Sequence, residues 1–331
     1  MYKKSPAFGL AAVIIAYFAL WLLVPRATFL PQIVDWLSHT AAHTPRIIDA
    51  MLKVIRFAIV ALPTVAFMAI QIGIVYFFTR IKMDFTRALA AFVLSLGGAY
   101  GLMTIIVWQS GIAAKMHQSL TLRQQMYVVA NYVTPLSLPY YVFIMFAAIS
   151  LGYLVSLRIK DKNLLLPVVM FAAYIDFWTV TRGPVAQVIK NAPEVVQAVS
   201  TPIPHAGVGA FMPATMIGPG DFIFMGLMFA VVHRFAMRPA RNYWFVFTAM
   251  TLGMLAVAFG LLGALPALTV LAVAVLAANR REFCLSREEK ILTLAVGIML
   301  LVTLPVVWSL CKHNPPTKPK AEVGYSVTTV I

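Results

Sequence analysis

An all-α, polytopic integral membrane protein of about nine transmembrane helices is the fold class this sequence predicts, and three observations predict it. Hydrophobic residues make up 61% of the 331, and charged residues only 11%. Soluble domains are roughly half apolar and a quarter charged. The mean hydropathy is +0.87. The apolar residues are gathered into stretches of about 18, long enough at 1.5 Å per residue to cross a hydrocarbon core of about 30 Å, and a helix satisfies its own backbone there.

The stretches run from Ala7 to Val24, Phe57 to Thr79, Ala88 to Trp108, Leu138 to Leu157, Leu164 to Thr181, Met216 to Val232, Tyr243 to Leu262, Gly263 to Ala278 and Ile291 to Leu310. The first follows Lys3 and Lys4, as a signal peptide would. Pro25 and Arg26 stand where a small-residue cleavage site belongs, so it reads as an anchored span.

The net charge of +15 does not point to nucleic acid, because the basic residues are dispersed through short loops. With a cytoplasmic N-terminus, Lys3, Lys4, Arg80, Lys82, Arg87, Arg158, Lys160, Lys162, Arg234, Arg238, Arg241, Arg280, Arg281, Arg287 and Lys290 fall inside. These are fifteen of 26 basic residues, the bias of the positive-inside rule. A multi-pass protein is expected, in the cell membrane if the source is prokaryotic. The two cysteines, Cys284 and Cys311, then lie on opposite sides, so neither a disulfide nor a Cys-based metal site is expected.

Residues 1–312 read as a single membrane domain and 313–331, rich in Pro and Lys, as a disordered tail. Three longer segments lie outside. Residues 25–56 contain an amphipathic stretch around Val34, Trp36 and Leu37. Residues 109–137 look similar, with Lys115, His117 and Arg123. Residues 182–215 hold Gly183, Pro184, Pro193, Pro202, Pro204, Gly207 and Gly209, the composition of a mobile loop. Asp35, His39 and His43 are spaced by four, open to a metal site or to a solvated interfacial helix. His205 reads as a surface residue, and His233 with Arg234 as interface anchors.

Of the eleven acidic residues only Asp176 and Asp221 lie inside apolar stretches. A carboxylate in a bilayer is costly unless protonated, paired or wetted, which makes it a candidate functional group. Asp176 stands roughly 9 Å below the outer end of its span and Asp221 about 8 Å below the start of the next, oppositely directed one. The two therefore reach one depth. Carboxyls held together in a low dielectric share one proton, leaving one base to activate water and one acid to donate to a carbonyl. Two other readings stay open. Each Asp caps a broken helix or pairs with a cation such as Arg182, or the pair is the proton carrier of a transporter.

Asp221 closes the run Gly218-Pro219-Gly220-Asp221, where two glycines and a proline loosen the helix beside the carboxylate. Pro266-Ala267-Leu268 opens the eighth stretch, and by itself reads as a proline in a first helical turn. In order, Asp176 after an aromatic-rich segment, GxGD at Gly218 to Asp221 and PAL at Pro266 to Leu268 resemble the presenilin and signal peptide peptidase family of intramembrane aspartyl proteases. The resemblance covers about residues 164–280. It departs from the pattern in placing Ile175 between Tyr174 and the first Asp, in having Pro219 as the x of GxGD, and in having four spans rather than five before Asp176.

The resemblance implies a presenilin-like fold and an aspartic endopeptidase that cuts transmembrane segments of membrane proteins, with Asp176 and Asp221 catalytic. Tyr174, Gly218, Pro219, Gly220, Pro266, Ala267 and Leu268 would lie along the substrate, whose unwound backbone needs a strand edge to pair with. Gly207 to Gly209 is open to extending that edge. The charge bias runs the Asp221 span from outside to inside, as in signal peptide peptidase, favouring substrate spans with a cytoplasmic N-terminus. Neither cofactor nor metal nor obligatory partner subunit is implied. Prepilin peptidases also use GxGD aspartates, but with an acidic cytoplasmic motif and without PAL.

Overall fold

Among the described residues, a helix lies on part of each apolar stretch. The computed structural model describes residues 5–24, 32–33, 36, 46–112, 120–132, 134–181, 188, 191–202, 216–258 and 266–313. In chain order the helices are α1 (Pro6–Leu23), α2 (Arg46–Thr79), α3 (Phe85–Gln109), α4 (Leu122–Asn131), α5 (Ser137–Ser156), α6 (Leu165–Thr181), α7 (Pro193–Val199), α8 (Pro219–Arg234), α9 (Pro239–Ala258), α10 (Ala267–Asn279) and α11 (Arg287–His313). Between α7 and α8, β1 (Thr201–Pro202) pairs antiparallel with β2 (Met216–Ile217).

Among the described residues four helical segments are both long and apolar enough to cross a membrane: Pro6–Leu23, Ala61–Thr79, Phe85–Gln109 and Ser137–Ser156. The others are shorter or carry charge. Helix α10 has 13 residues, about 20 Å at 1.5 Å each, and α9 and α11 hold Arg241 and Arg287 to Lys290 in their first turns. The outward surface is nevertheless apolar, with Leu94, Trp108 and Leu301 at least 70% exposed, as suits a protein that faces lipid.

Helix α8 forms the centre. Every residue from Phe224 to Val232 is buried, apolar on all sides as an enclosed helix must be. It lies against α5 at a crossing of two glycines. A Cβ on Gly226 would stand 2.8 Å from the Ile149 carbonyl oxygen, and one on Gly152 would overlap the Ile223 carbonyl. Small residues let two backbones approach this closely. Helices α9 and α10 are joined by a reciprocal amide pair: Asn242 Nδ2 donates to Asn279 Oδ1 at 2.9 Å and Asn279 Nδ2 returns the bond to Asn242 Oδ1. Both side chains are fully buried, and each also bonds a backbone carbonyl of its own helical region, Met237 and Val275 respectively.

Three elements differ from the sequence expectation. Helix α2 begins at Arg46, eleven residues before the predicted span, because Ile47, Ile48, Met51, Leu52 and Ile55 repeat at helical spacing and carry the turn pattern through its polar residues. Helix α4 stands in the second external segment, started by a capping box in which Thr121 accepts from Gln124 N–H and the Gln124 side chain accepts from Thr121 N–H. Helix α7 orders part of the expected mobile loop, with Pro193 at its first turn. It is tied down by Arg123, which bonds Glu194 at 2.8 Å and the Asn191 carbonyl, and by Tyr140, whose hydroxyl donates to the Ala198 carbonyl.

Candidate active site

Asp221 is the third residue of α8, and the local sequence explains its place. Pro219 opens the helix with a fixed φ and no N–H to satisfy, while Gly218 before it is extended. The Asp221 carboxylate turns back so that Oδ2 accepts the Gly218 N–H at 3.2 Å. This is the half of a capping box that a glycine at the N-cap permits. Strand β2 ends at Ile217, so one extended backbone runs from Met216 into the Gly218 cap. Gly220 is exposed and a Cβ there would meet nothing within 4 Å.

Asp176 comes from α6. Its Oδ2 accepts the backbone N–H of Leu268 at 2.9 Å. Pro266 is the N-cap of α10 and offers no side-chain acceptor, so the first N–H groups of that helix need a partner from elsewhere. Asp176 supplies it for Leu268, while the Thr269 N–H donates to the Pro266 carbonyl at 3.2 Å. The Thr269 hydroxyl donates to the Ala173 carbonyl at 3.3 Å, pinning α10 to α6 one turn before Asp176.

The two carboxyls, on separate helices, lie close enough to interact electrostatically. Each is half-buried. Each is oriented by a backbone amide at a helix N-terminus, where anionic character is favoured. The helix-capping arrangement considered from sequence is thus present at both residues, on two helices that both pack against α10.

Among the other candidates, Pro266 is buried, while Ala267, Leu268, Gly218 and Pro219 are half-buried around the same spot. The N–H groups of Gly218 and Leu268 are taken by the two acids. Tyr174 points to α11, its hydroxyl 3.1 Å from that of Thr303. An apolar groove of about 520 Å³ runs alongside, lined by Pro167, Phe171 and Ile175 of α6, Leu268 of α10 and Val296 of α11. Val34, Asp35, His39, His43, Lys115, His117, Arg182, His205, Gly207 and Gly209 lie outside the described residues.

His233 and Arg234 do more than mark an interface. His233 Nδ1 is 2.8 Å from the Phe229 carbonyl and 3.3 Å from the Thr79 hydroxyl. Arg234 Nη1 donates to the carbonyls of Ser156, Leu157 and Ile159, closing the C-terminus of α5. The features that the sequence reading missed are the Asp176 to Leu268 bond and the Gly152 and Gly226 crossing. The second leaves a signal, single glycines within apolar helical runs; the first leaves none.

No family model, curated protein or solved structure matches this chain.

Proposed function

We propose that this chain is a multi-pass intramembrane aspartyl protease of the presenilin and signal peptide peptidase kind, cutting peptide bonds in transmembrane segments. The observation that carries the reading is that Asp176 and Asp221 lie on two helices that both pack against α10, within electrostatic reach of each other, each aimed by a backbone amide, beside an extended backbone and an apolar groove. One carboxylate removes a proton from water as it attacks the scissile carbonyl, and the other, protonated, donates to the carbonyl oxygen. Collapse of the tetrahedral adduct then breaks the C–N bond, with the amine taking a proton from the dyad.

A helical substrate hides its carbonyls in its own hydrogen bonds and must unwind first. The outer edge of β2, leading directly into Gly218, offers backbone partners to the unwound strand, and the groove along Ile175 and Leu268 suits the apolar remainder. Because Leu268 N–H already serves Asp176, the PAL segment acts here through positioning the acid rather than through bonding substrate with that amide.

The same two bonds favour one other reading, in which both acids serve only as caps of α8 and α10. A photoreactive transition-state mimic bearing a hydroxyl in place of the scissile carbonyl separates them. Labelling of the wild type that is lost in Asp176→Asn and Asp221→Asn supports the protease. Equal labelling of all three, or none, favours caps, and proton-driven uptake that depends on both acids would make the pair a transporter's carrier.

A further inference from the structure

At the end of the bundle away from Asp176 and Asp221, the loops are few, short and fastened to one another. Arg234 holds the carbonyls at and just after the end of α5. Asn163 Nδ2, just before α6, donates to the Cys284 carbonyl at 3.2 Å and to Glu289 Oε2 at 3.3 Å. Arg238 Nε meets Glu282 at 3.2 Å. The turn that presents Arg238 is itself fixed, with Ala236 and Arg238 at φ 55° and 48° and the Met237 N–H bonded to the Val232 carbonyl. The loops 157–164, 235–241 and 280–290 thus form one continuous, ordered surface.

That surface is strongly cationic. Arg158, Lys160, Arg280, Arg281, Arg287 and Lys290 are exposed on it. Most of its acids are engaged internally: Asp161 accepts from Asn163 N–H, Glu282 from Arg238, and Glu289 from Ser286 N–H and Asn163. The cations also stand directly on the apolar outer wall. Arg287 and Lys290 open α11, and the residues that follow, Ile291, Leu292 and Leu294, are 61 to 65% exposed. Two residues after Lys162 stands Leu164, 48% exposed, immediately before α6.

We propose that this face binds the headgroups of anionic phospholipids, their phosphates against the Arg280, Arg281, Arg287 and Lys290 cluster and their acyl chains along the outer wall of α11. Each Lys or Arg near an anionic membrane surface attracts it measurably, and preset loops spare the ordering cost that a disordered basic tail would incur. A soluble polyanion would use the charge but leave the adjoining apolar wall unmatched. The inference is independent of what Asp176 and Asp221 do.

The test uses the full chain in a neutral detergent, with phosphatidylglycerol or phosphatidylcholine of matched chains titrated in and retention read by native mass spectrometry. Phosphatidylglycerol is expected to bind at least about tenfold more tightly than phosphatidylcholine, less so as salt rises, with the preference lost in Arg280→Gln/Arg281→Gln/Arg287→Gln/Lys290→Gln. A second variant, Arg158→Gln/Lys160→Gln, is expected to weaken it by a smaller factor and guards against misfolding of the first. Equal binding of the two lipids, or a preference untouched by both variants, overturns the proposal. So does equally tight binding of chain-free glycerol phosphate, which would make the face a site for a soluble anion.

Discussion

Asp176 and Leu268 are 92 residues apart and meet through a single bond, the Leu268 N–H donating to Asp176 Oδ2 at 2.9 Å. It joins α6 to the N-terminus of α10, a helix whose own N-cap is a proline. Asp176→Ala therefore leaves that terminus without its acceptor and is expected to cost about 1 kcal/mol, the usual cost of a lost cap. Asp176→Asn keeps an oxygen for Leu268 and is expected to unfold near the wild type in thermal or denaturant titration while losing turnover. An Asn variant as unstable as the Ala variant would show that the negative charge, and not the acceptor, holds α10.

The α5 to α8 crossing leaves no room for a methyl group at either glycine. Gly226→Ala and Gly152→Ala are each expected to push the helices apart and to destabilise by about 1 to 3 kcal/mol, the range of overpacking in a filled core. Gly220→Ala, facing open space in the first turn of α8, is expected to be far milder. Unfolding midpoints of the three variants compared side by side decide it, and equal losses would contradict the crossing.

The Asn242 and Asn279 amides satisfy each other inside the bundle. Replacing one with Ala strands the other, at about 1 to 3 kcal/mol. Replacing both with Ala is expected to cost less than the sum of the single changes. Strict additivity in that double-mutant cycle would mean that the pair does not couple.

Glu194 holds α7 to α4 through Arg123. Partial desolvation, the largest single influence on its carboxyl, pushes it up, yet its own backbone N–H and the Arg123 guanidinium together hold it below the usual range. With its folded pKa depressed, the stabilisation is present above the ordinary Glu value of about 4.3 and fades as pH falls through the folded pKa. The effect is small, since the Arg123 side chain is 59% exposed. Protection of α7 against hydrogen exchange, relative to the intrinsic rate at each pH, is expected to fall as pH drops below the ordinary Glu range in the wild type and to lack that step in Glu194→Gln.

The acids were legible because a carboxylate in an apolar run contradicts its surroundings, and the Gly-Pro-Gly before Asp221 announced an irregular helix start. Helix positions followed from the apolar stretches for the same reason of local contrast. The start of α2 was not, because Arg46 to Phe57 is polar enough to end a hydropathy window while keeping helical spacing. Helix α4 was signalled by Thr121 and Gln124 three apart, a local pattern that the sequence reading passed over. The Asp176 to Leu268 bond joins elements distant in the chain, and no local pattern records which N-terminus a carboxylate will cap.

The most direct test of the account is cleavage of single-span reporter substrates by the purified protein in liposomes, beside Asp176→Asn and Asp221→Asn variants shown to be folded. The account predicts peptide-bond hydrolysis by the wild type and loss of at least about a thousandfold in each variant, because both acids act in one step. Turnover surviving in either folded variant, or none by the wild type on any reporter, would contradict it.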